Sequence, residues 1–374
     1  MVKKHLLVPL AILFFSAASA QNIGIGTTSP AYRLDVRGSI NTDSFYRIGG
    51  QRILQLRGGS NVFIGSGTGS VTSGGFNTIT GNQAFAFNTT GNYNTGVGYG
   101  TLYNNTTGEG NTASGMSVLG FNLTGSYNTA FGFDAMYSNT TGARNTAIGS
   151  GALSGTHNSE FNTAVGTRAG YAHDIGWNNT IIGADADVSF DGQYNSIAIG
   201  NVAGCPDNST VRIGNSANWS YGAYANWTNI SDERFKRNVK ENVAGLNFIM
   251  LLRPVTYQMN VTALSKKLNE GDGKELNETM KLAIAEKEKM VWTGFMAQEV
   301  ETAAKATGFD FSGVDKPRND YGVYGLRYAE FVVPLVKGMQ EQQLLIESLQ
   351  KRNEELAKRI EALEKLLVKQ TGSP

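Results

Sequence analysis

The chain has 374 residues, 40% of them hydrophobic, and a formal net charge of +1. That length allows two or three domains, but the apolar fraction is too low for one large core, so an extended modular molecule is expected. Arg144 and Arg168 are the only lysine or arginine residues between positions 58 and 211, which excludes a phosphate-binding surface there and argues against nucleic acid as a partner.

Residues 1–20 combine Lys3, Lys4 and His5 with an apolar run from Leu6 to Phe15 and end in Ala18-Ser19-Ala20. That order is the pattern of a cleaved secretory signal, and the run is shorter than the ~20 residues a membrane span needs. Cys205 is the only cysteine, so an internal disulfide is excluded and no cysteine at the cleavage site can carry a lipid. No later stretch is long and apolar enough to cross a bilayer. The mature chain is expected to be secreted or displayed at the cell surface.

Residues 21–57 include Asn22-Ile23-Gly24-Ile25-Gly26, Leu34-Asp35-Val36 and the run Ser44 to Gly50. They resemble the lead-in segment of bacterial and phage fibre proteins. In residues 58–210 asparagines recur at 61, 77, 94, 111, 128, 145, 162, 179 and 195, with a step of 17 from Asn77 to Asn179. A glycine stands four residues after each asparagine from Asn61 through Asn179, as in Asn128-Thr129-Ala130-Phe131-Gly132. Short β-prone segments between residues that tolerate positive φ predict a β-roll or β-solenoid. Because each unit shows only one or two small apolar residues, such as Ala147 and Ile148, three chains wound together are expected to share the interior. The style, though not the repeat length, is similar to the head repeats of trimeric bacterial adhesins.

The varying repeat positions Tyr99, Phe133, Ser150 and Arg168 offer either a carbohydrate or protein receptor surface or a passive spacer. Asp185, Asp187 and Asp191 match no calcium loop and read as solvated turn acids, so no metal or other cofactor is expected. Sequons such as Asn104-Asn105-Thr106 and Asn139-Thr140-Thr141 follow from composition. Residues 211–230, with Trp219, Tyr221, Tyr224 and Trp227, read as the last strand-like piece of the shaft.

At Ser231 the composition changes: 36 of the 46 glycines precede it, and no lysine occurs between Lys4 and Lys236. Ser231-Asp232-Glu233 would suit a helix start with Ser231 as N-cap. The run Ser231 to Lys236, then Leu252-Arg253-Pro254-Val255-Thr256-Tyr257, Gly294-Phe295-Met296-Ala297-Gln298-Glu299-Val300, and Tyr321 to Gln343 together resemble the intramolecular chaperone and auto-processing family, peptidase family S74. The resemblance spans about residues 229 to 345, with the chaperone domain expected at 231–345. It implies Ser231 as nucleophile, Lys236 as general base, and Ile230-Ser231 as the scissile bond. A serine–lysine pair is a known variant of triad logic, and the lysine must lose its proton, with Arg234 and Arg237 as candidate neighbours that would favour this. Five residues of regular helix turn through about 140°, so Lys236 has to reach back to a serine outside the first turn. No histidine follows residue 231, which leaves lysine as the only strong base. The charged stretch from Ala263 to Met290, interrupted by Gly271 and Gly273, is expected to be an insertion or an arm that wraps a neighbouring shaft.

Residues 332–370 carry heptad positions Val332, Met339, Ile346, Asn353, Ile360, Leu367 and Leu335, Gln342, Leu349, Leu356, Leu363. They predict a coiled coil, with Gln342 and Asn353 fixing register. The whole is expected to be a β-rich repeat fibre, then an α+β auto-processing domain, then a coiled coil. A homotrimer that cuts itself before Ser231 is the leading reading. A fibre or adhesin that trimerises without cutting is the alternative.

Overall fold

A computed structural model describes residues 23–25, 27–36, 45–57, 60–70, 72–225, 227–270 and 276–371. The expected signal at 1–20, and Gly271 and Gly273 of the expected arm, lie outside the described residues. Between 61 and 213 the chain coils into a stack of short parallel strands, about nine turns in all. Of the two architectures expected for the repeat, it is the solenoid. Three-residue strands such as Thr129–Phe131, Thr146–Ile148 and Thr163–Val165 pair in parallel at one-repeat register, with Ala130, Ala147 and Ala164 in line. An antiparallel hairpin, Phe45–Ile48 and Gln51–Arg57, covers the first rung at Asn61–Ile64. It occupies the edge that would otherwise offer free backbone groups.

The repeated asparagines are buried, and each is tied to the next. Asn128 Oδ1 accepts the Asn145 backbone N–H at 3.0 Å and its side-chain amide at 3.1 Å, while Asn128 Nδ2 donates to Asn111 Oδ1 at 3.2 Å and to the Gly142 carbonyl at 2.8 Å. The same bonds repeat from Asn61 to Asn179. At the next turn the ladder position is Ser196, whose N–H reaches Asn179 Oδ1, so Asn195 is not a rung. Asn195 instead takes the left-handed conformation one place earlier. A second column at Asn88, Asn105, Asn122 and Asn139 runs beside the first, linked amide to carbonyl at 2.6–2.7 Å. Asn139 Oδ1 at its end has no partner, because the next position is Thr156, which bonds Leu153 instead.

The glycine after each strand is required by its neighbour. Gly132 has φ +124°, and a Cβ there would lie 2.6 Å from the Gly149 carbonyl. The ladder asparagines themselves, expected to supply positive φ, do not. Residues just before them do so, including Tyr127, Arg144 and Phe161 with φ of 57–59°, because their side chains point outward and clear the stack. Leu119, Met136 and Leu153 are also left-handed at about 51–52° while fully buried. This strain costs about 1–2 kcal/mol per residue, comparable to what burying such a side chain returns.

Those buried residues change the expected packing. Each turn encloses the strand's middle residue plus a pair such as Val118–Leu119, Ala135–Met136 or Ala152–Leu153. One chain therefore fills its own interior, and three chains are not interwound to make the core. The pair was overlooked because it follows the strand, where neither a two-residue nor a helical period marks it.

Past the last rung, Val211–Ile213, the described residues between 215 and 232 form no strand. Trp219, Tyr221, Tyr224 and Trp227 are exposed rather than packed on one face of a final strand. The C-terminal module then combines short helices α1 (Leu246–Ile249), α2 (Val261–Lys267), α3 (Glu278–Glu288) and α4 (Ala297–Ala306) with two small antiparallel strand pairs and a long helix α5 (Val332–Thr371). Phe248, Val300, Phe311 and Phe331 form its core. In α5, Gly338 permits close approach to α1, since a Cβ there would lie 2.5 Å from Ile249 Cδ1. Glu341 accepts the Leu246 N–H at 2.7 Å beside that contact.

Asn128→Ala should leave the buried Asn145 N–H without its acceptor and remove one of the two donors to the Gly142 carbonyl, which keeps Asn139 Nδ2. A loss of about 1–3 kcal/mol is expected for the one buried group left unpaired. Urea unfolding checks it, and a change below about 0.5 kcal/mol would contradict the ladder's role.

Candidate functional site

The sequence change at Ser231 coincides with a single 3₁₀ turn, Glu233–Phe235. Asp232, not Ser231, is its N-cap: the carboxylate accepts the Arg234 N–H at 3.0 Å and the Arg234 guanidinium at 2.6–3.1 Å. The two charged oxygens of the aspartate satisfy the backbone and the guanidinium together, a bidentate geometry that a single hydroxyl oxygen does not offer. Ser231 is thereby left one residue outside the turn. Lys236 closes the turn with its N–H on the Glu233 carbonyl at 3.0 Å, and its backbone then extends at φ −92°, ψ 136°. From there Lys236 Nζ donates to Ser231 Oγ at 2.8 Å. The reach-back that helical geometry demands is achieved by a turn tighter and shorter than an α-helix.

Electrostatics within the turn are local. The bonds from Arg234 hold the Asp232 carboxyl below its ordinary range, and the same contact raises the Arg234 guanidinium. Arg234 is thus neutralised by Asp232, which weakens it as the positive neighbour expected for Lys236. The Arg234 N–H is also occupied and cannot stabilise an oxyanion. Ser231 and Lys236 are both exposed, and Ile230 is 92% exposed.

The other quoted segments meet inside the module. Val255–Tyr257 pairs antiparallel with Trp292–Gly294, and Arg253 bridges Glu299 at 2.5 Å. Gly294 leaves room for the Tyr328 hydroxyl, which accepts the Phe295 N–H at 3.2 Å, and Phe295 stacks on Phe331 at 5.4 Å. These residues build the scaffold. Sequence reasoning missed Glu301, which binds Lys305 at 2.6 Å, Lys316 at 2.9 Å and the Tyr324 hydroxyl at 3.0 Å. Those three bonds lower its carboxyl to about 2. Its i,i+4 spacing from Lys305 was the only signal available.

The expected arm packs on its own chain. Glu270, after α2, accepts the Ser216 N–H at 2.7 Å, and Lys287 on α3 donates to the Ser216 carbonyl at 2.8 Å. In the solenoid, Asp185 pairs with Arg168, Asp187 accepts the Ala172 N–H at 2.8 Å, and Asp191 accepts the Asp174 N–H at 3.0 Å. All three carboxylates lie on one turn of the solenoid and bond residues of the turn before it. Tyr99 bonds Gln83 at 2.9 Å, while Phe133 and Ser150 lie exposed on the outer surface. Asn139 is buried in its column, so that sequon is inaccessible to a glycan. Among the described residues no helix is long and apolar enough to cross a membrane.

A family model described as the chaperone of endosialidase, Peptidase_S74, matches residues 231–309, beginning at the serine that precedes the turn. The C-terminal region thus carries the S74 chaperone domain that the quoted residues resembled, and the match supports an intramolecular chaperone role in trimeric fibre assembly. No curated protein and no solved structure matches the chain.

Acid should weaken the Glu301 cluster in a defined window. Because the folded value is depressed, its contribution is complete above the ordinary value of 4.5 and is lost as pH falls toward about 2. Thermal unfolding between pH 5 and about pH 2 should fall more steeply for wild type than for Glu301→Gln, and parallel curves would contradict this.

Proposed function

We propose that the chain is an exported, homotrimeric fibre protein whose C-terminal module aligns three copies and then cuts each chain before Ser231. The observation that carries the reading is the 2.8 Å contact from Lys236 Nζ to Ser231 Oγ, at the first residue of the family match. The Ser231 hydroxyl adds to the Ile230 carbonyl as Lys236, in its uncharged form, takes the hydroxyl proton. Breaking the Ile230–Ser231 C–N bond transfers the acyl group to Oγ, and the departing amine recovers a proton. Water then hydrolyses the ester, freeing the Ile230 carboxylate and restoring the hydroxyl.

A single chain leaves large apolar surfaces uncovered. Trp227, Ile230, Phe235 and Val239 are 77–92% exposed, and on α5 the heptad residues Met339, Ile346, Leu349, Leu356, Ile360 and Leu363 are 41–70% exposed. Patches of this kind mark association surfaces. A three-stranded coiled coil formed by α5 would cover the second set. Burial of the first set against partner copies would also exclude water from the dyad, favouring the neutral amine. The trimer thus supplies what the lone chain lacks. The signal-like residues 1–20 support export.

The non-cutting alternative is favoured by one observation, the exposure of Ser231 and Lys236 within one chain. Denaturing electrophoresis separates the readings. Wild type should split into a piece ending at residue 230 and residues 231–374, while Ser231→Ala and Lys236→Ala should each remain whole. A full-length band in all three would establish the alternative. Leu356→Asp should abolish the trimer in sedimentation and leave the chain uncut; cutting in a demonstrated monomer would contradict the need for assembly.

A further inference from the structure

The scissile bond lies between two parts of the chain that grip each other elsewhere. Ser216 and Asn218, just after the last solenoid rung, lie before the cut, and Glu270 and Lys287 lie after it. Glu270 is 7% exposed, and both its carboxylate oxygens are used by Ser216, one by the backbone N–H at 2.7 Å and one by the hydroxyl. Lys287, whose ammonium is lowered by burial, donates to the carbonyls of Ser216 at 2.8 Å and Asn218 at 2.5 Å. Ala217 packs between Val261 and Ile284 in one apolar cluster.

A second patch lies one turn up the solenoid. Asn319 donates to the Pro206 carbonyl at 3.0 Å, and the Tyr321 ring stacks on Phe190 at 5.8 Å. Between the patches the solenoid wall at Val202 and Gly204 faces Leu268 across a gap of about 20 Å³, room for one water at most. The module therefore packs on the last turns of the coil and covers the wall at Val202, Ala203 and Gly204.

We infer that the C-terminal module is a cap that stays bound to its own shaft after the chain is severed, so that self-cleavage produces a nick rather than a released fragment. The partner surface is the last solenoid turn together with Ser216 to Asn218. A buried carboxylate satisfied only by the shaft, a lysine capping two shaft carbonyls and apolar contact on both sides hold the pieces independently of the peptide bond. The occurrence of a natural nick rests on the function proposed above; the cap itself does not.

The test uses a foreign cut. The full chain carrying Ser231→Ala receives a sequence-specific protease site inserted after Ala223, where Tyr224 is fully exposed. After digestion the two pieces should co-elute in native size exclusion and separate only on denaturation. Adding Glu270→Ala with Lys287→Ala should speed separation at least tenfold, while circular dichroism of the undigested variant confirms its fold. If that variant does not fold, Tyr321→Ala should give the same direction. Separation of the pieces without any substitution would overturn the cap, as would retention unchanged by the substitutions. Failure of wild type to cut itself would leave these outcomes readable and would count only against the self-cleavage reading.

Discussion

The asparagine ladder is the interaction on which the solenoid depends. A coil built of three-residue strands has little sheet to hold each turn to the next, and its buried polar groups must be satisfied from within. One carboxamide per turn does both, accepting the following turn's N–H and donating to its neighbours, as at Asn111, Asn128 and Asn145. Seventeen residues is the length that returns the chain to this contact. Glycine after each strand and left-handed residues before each asparagine are consequences of that closure.

Because the interior is filled by one chain, assembly has a different task from the interwinding that the short apolar segments suggested. The proposed trimer would need three finished coils aligned, and the uncovered surfaces lie where alignment would act: the aromatic stretch before Ser231 and the heptad face of α5. In the proposed trimer, the turn exposed in one chain would be walled in by three and would work only after assembly. The contacts of Glu270 and Lys287 with the shaft add a further constraint, since they seat each module on its own coil end before and after any cut.

Periodic features were legible in sequence, and features set by tertiary contact were not. The repeat and the long helix are read directly from spacing, as are Ser231 and Lys236 once the order of family segments is noticed. The second column at Asn88 to Asn139 shares the same period but was masked by the abundance of asparagine. Asn195 continues the series by residue type alone, whereas hydrogen bonding selects the backbone position held by Ser196. Ser231 was assigned the cap that Asp232 holds, since local sequence does not show that Arg234 would fold back on the aspartate. The expected arm was seen as a charged helical stretch, but its partner, Ser216, is 54 residues from Glu270.

The identity of the first residue of the smaller fragment tests the central claim most directly, by N-terminal sequencing and intact mass of freshly assembled wild-type protein. A fragment beginning Ser231-Asp232-Glu233 is required. An uncut trimer, or a fragment beginning at any other residue, would contradict the account.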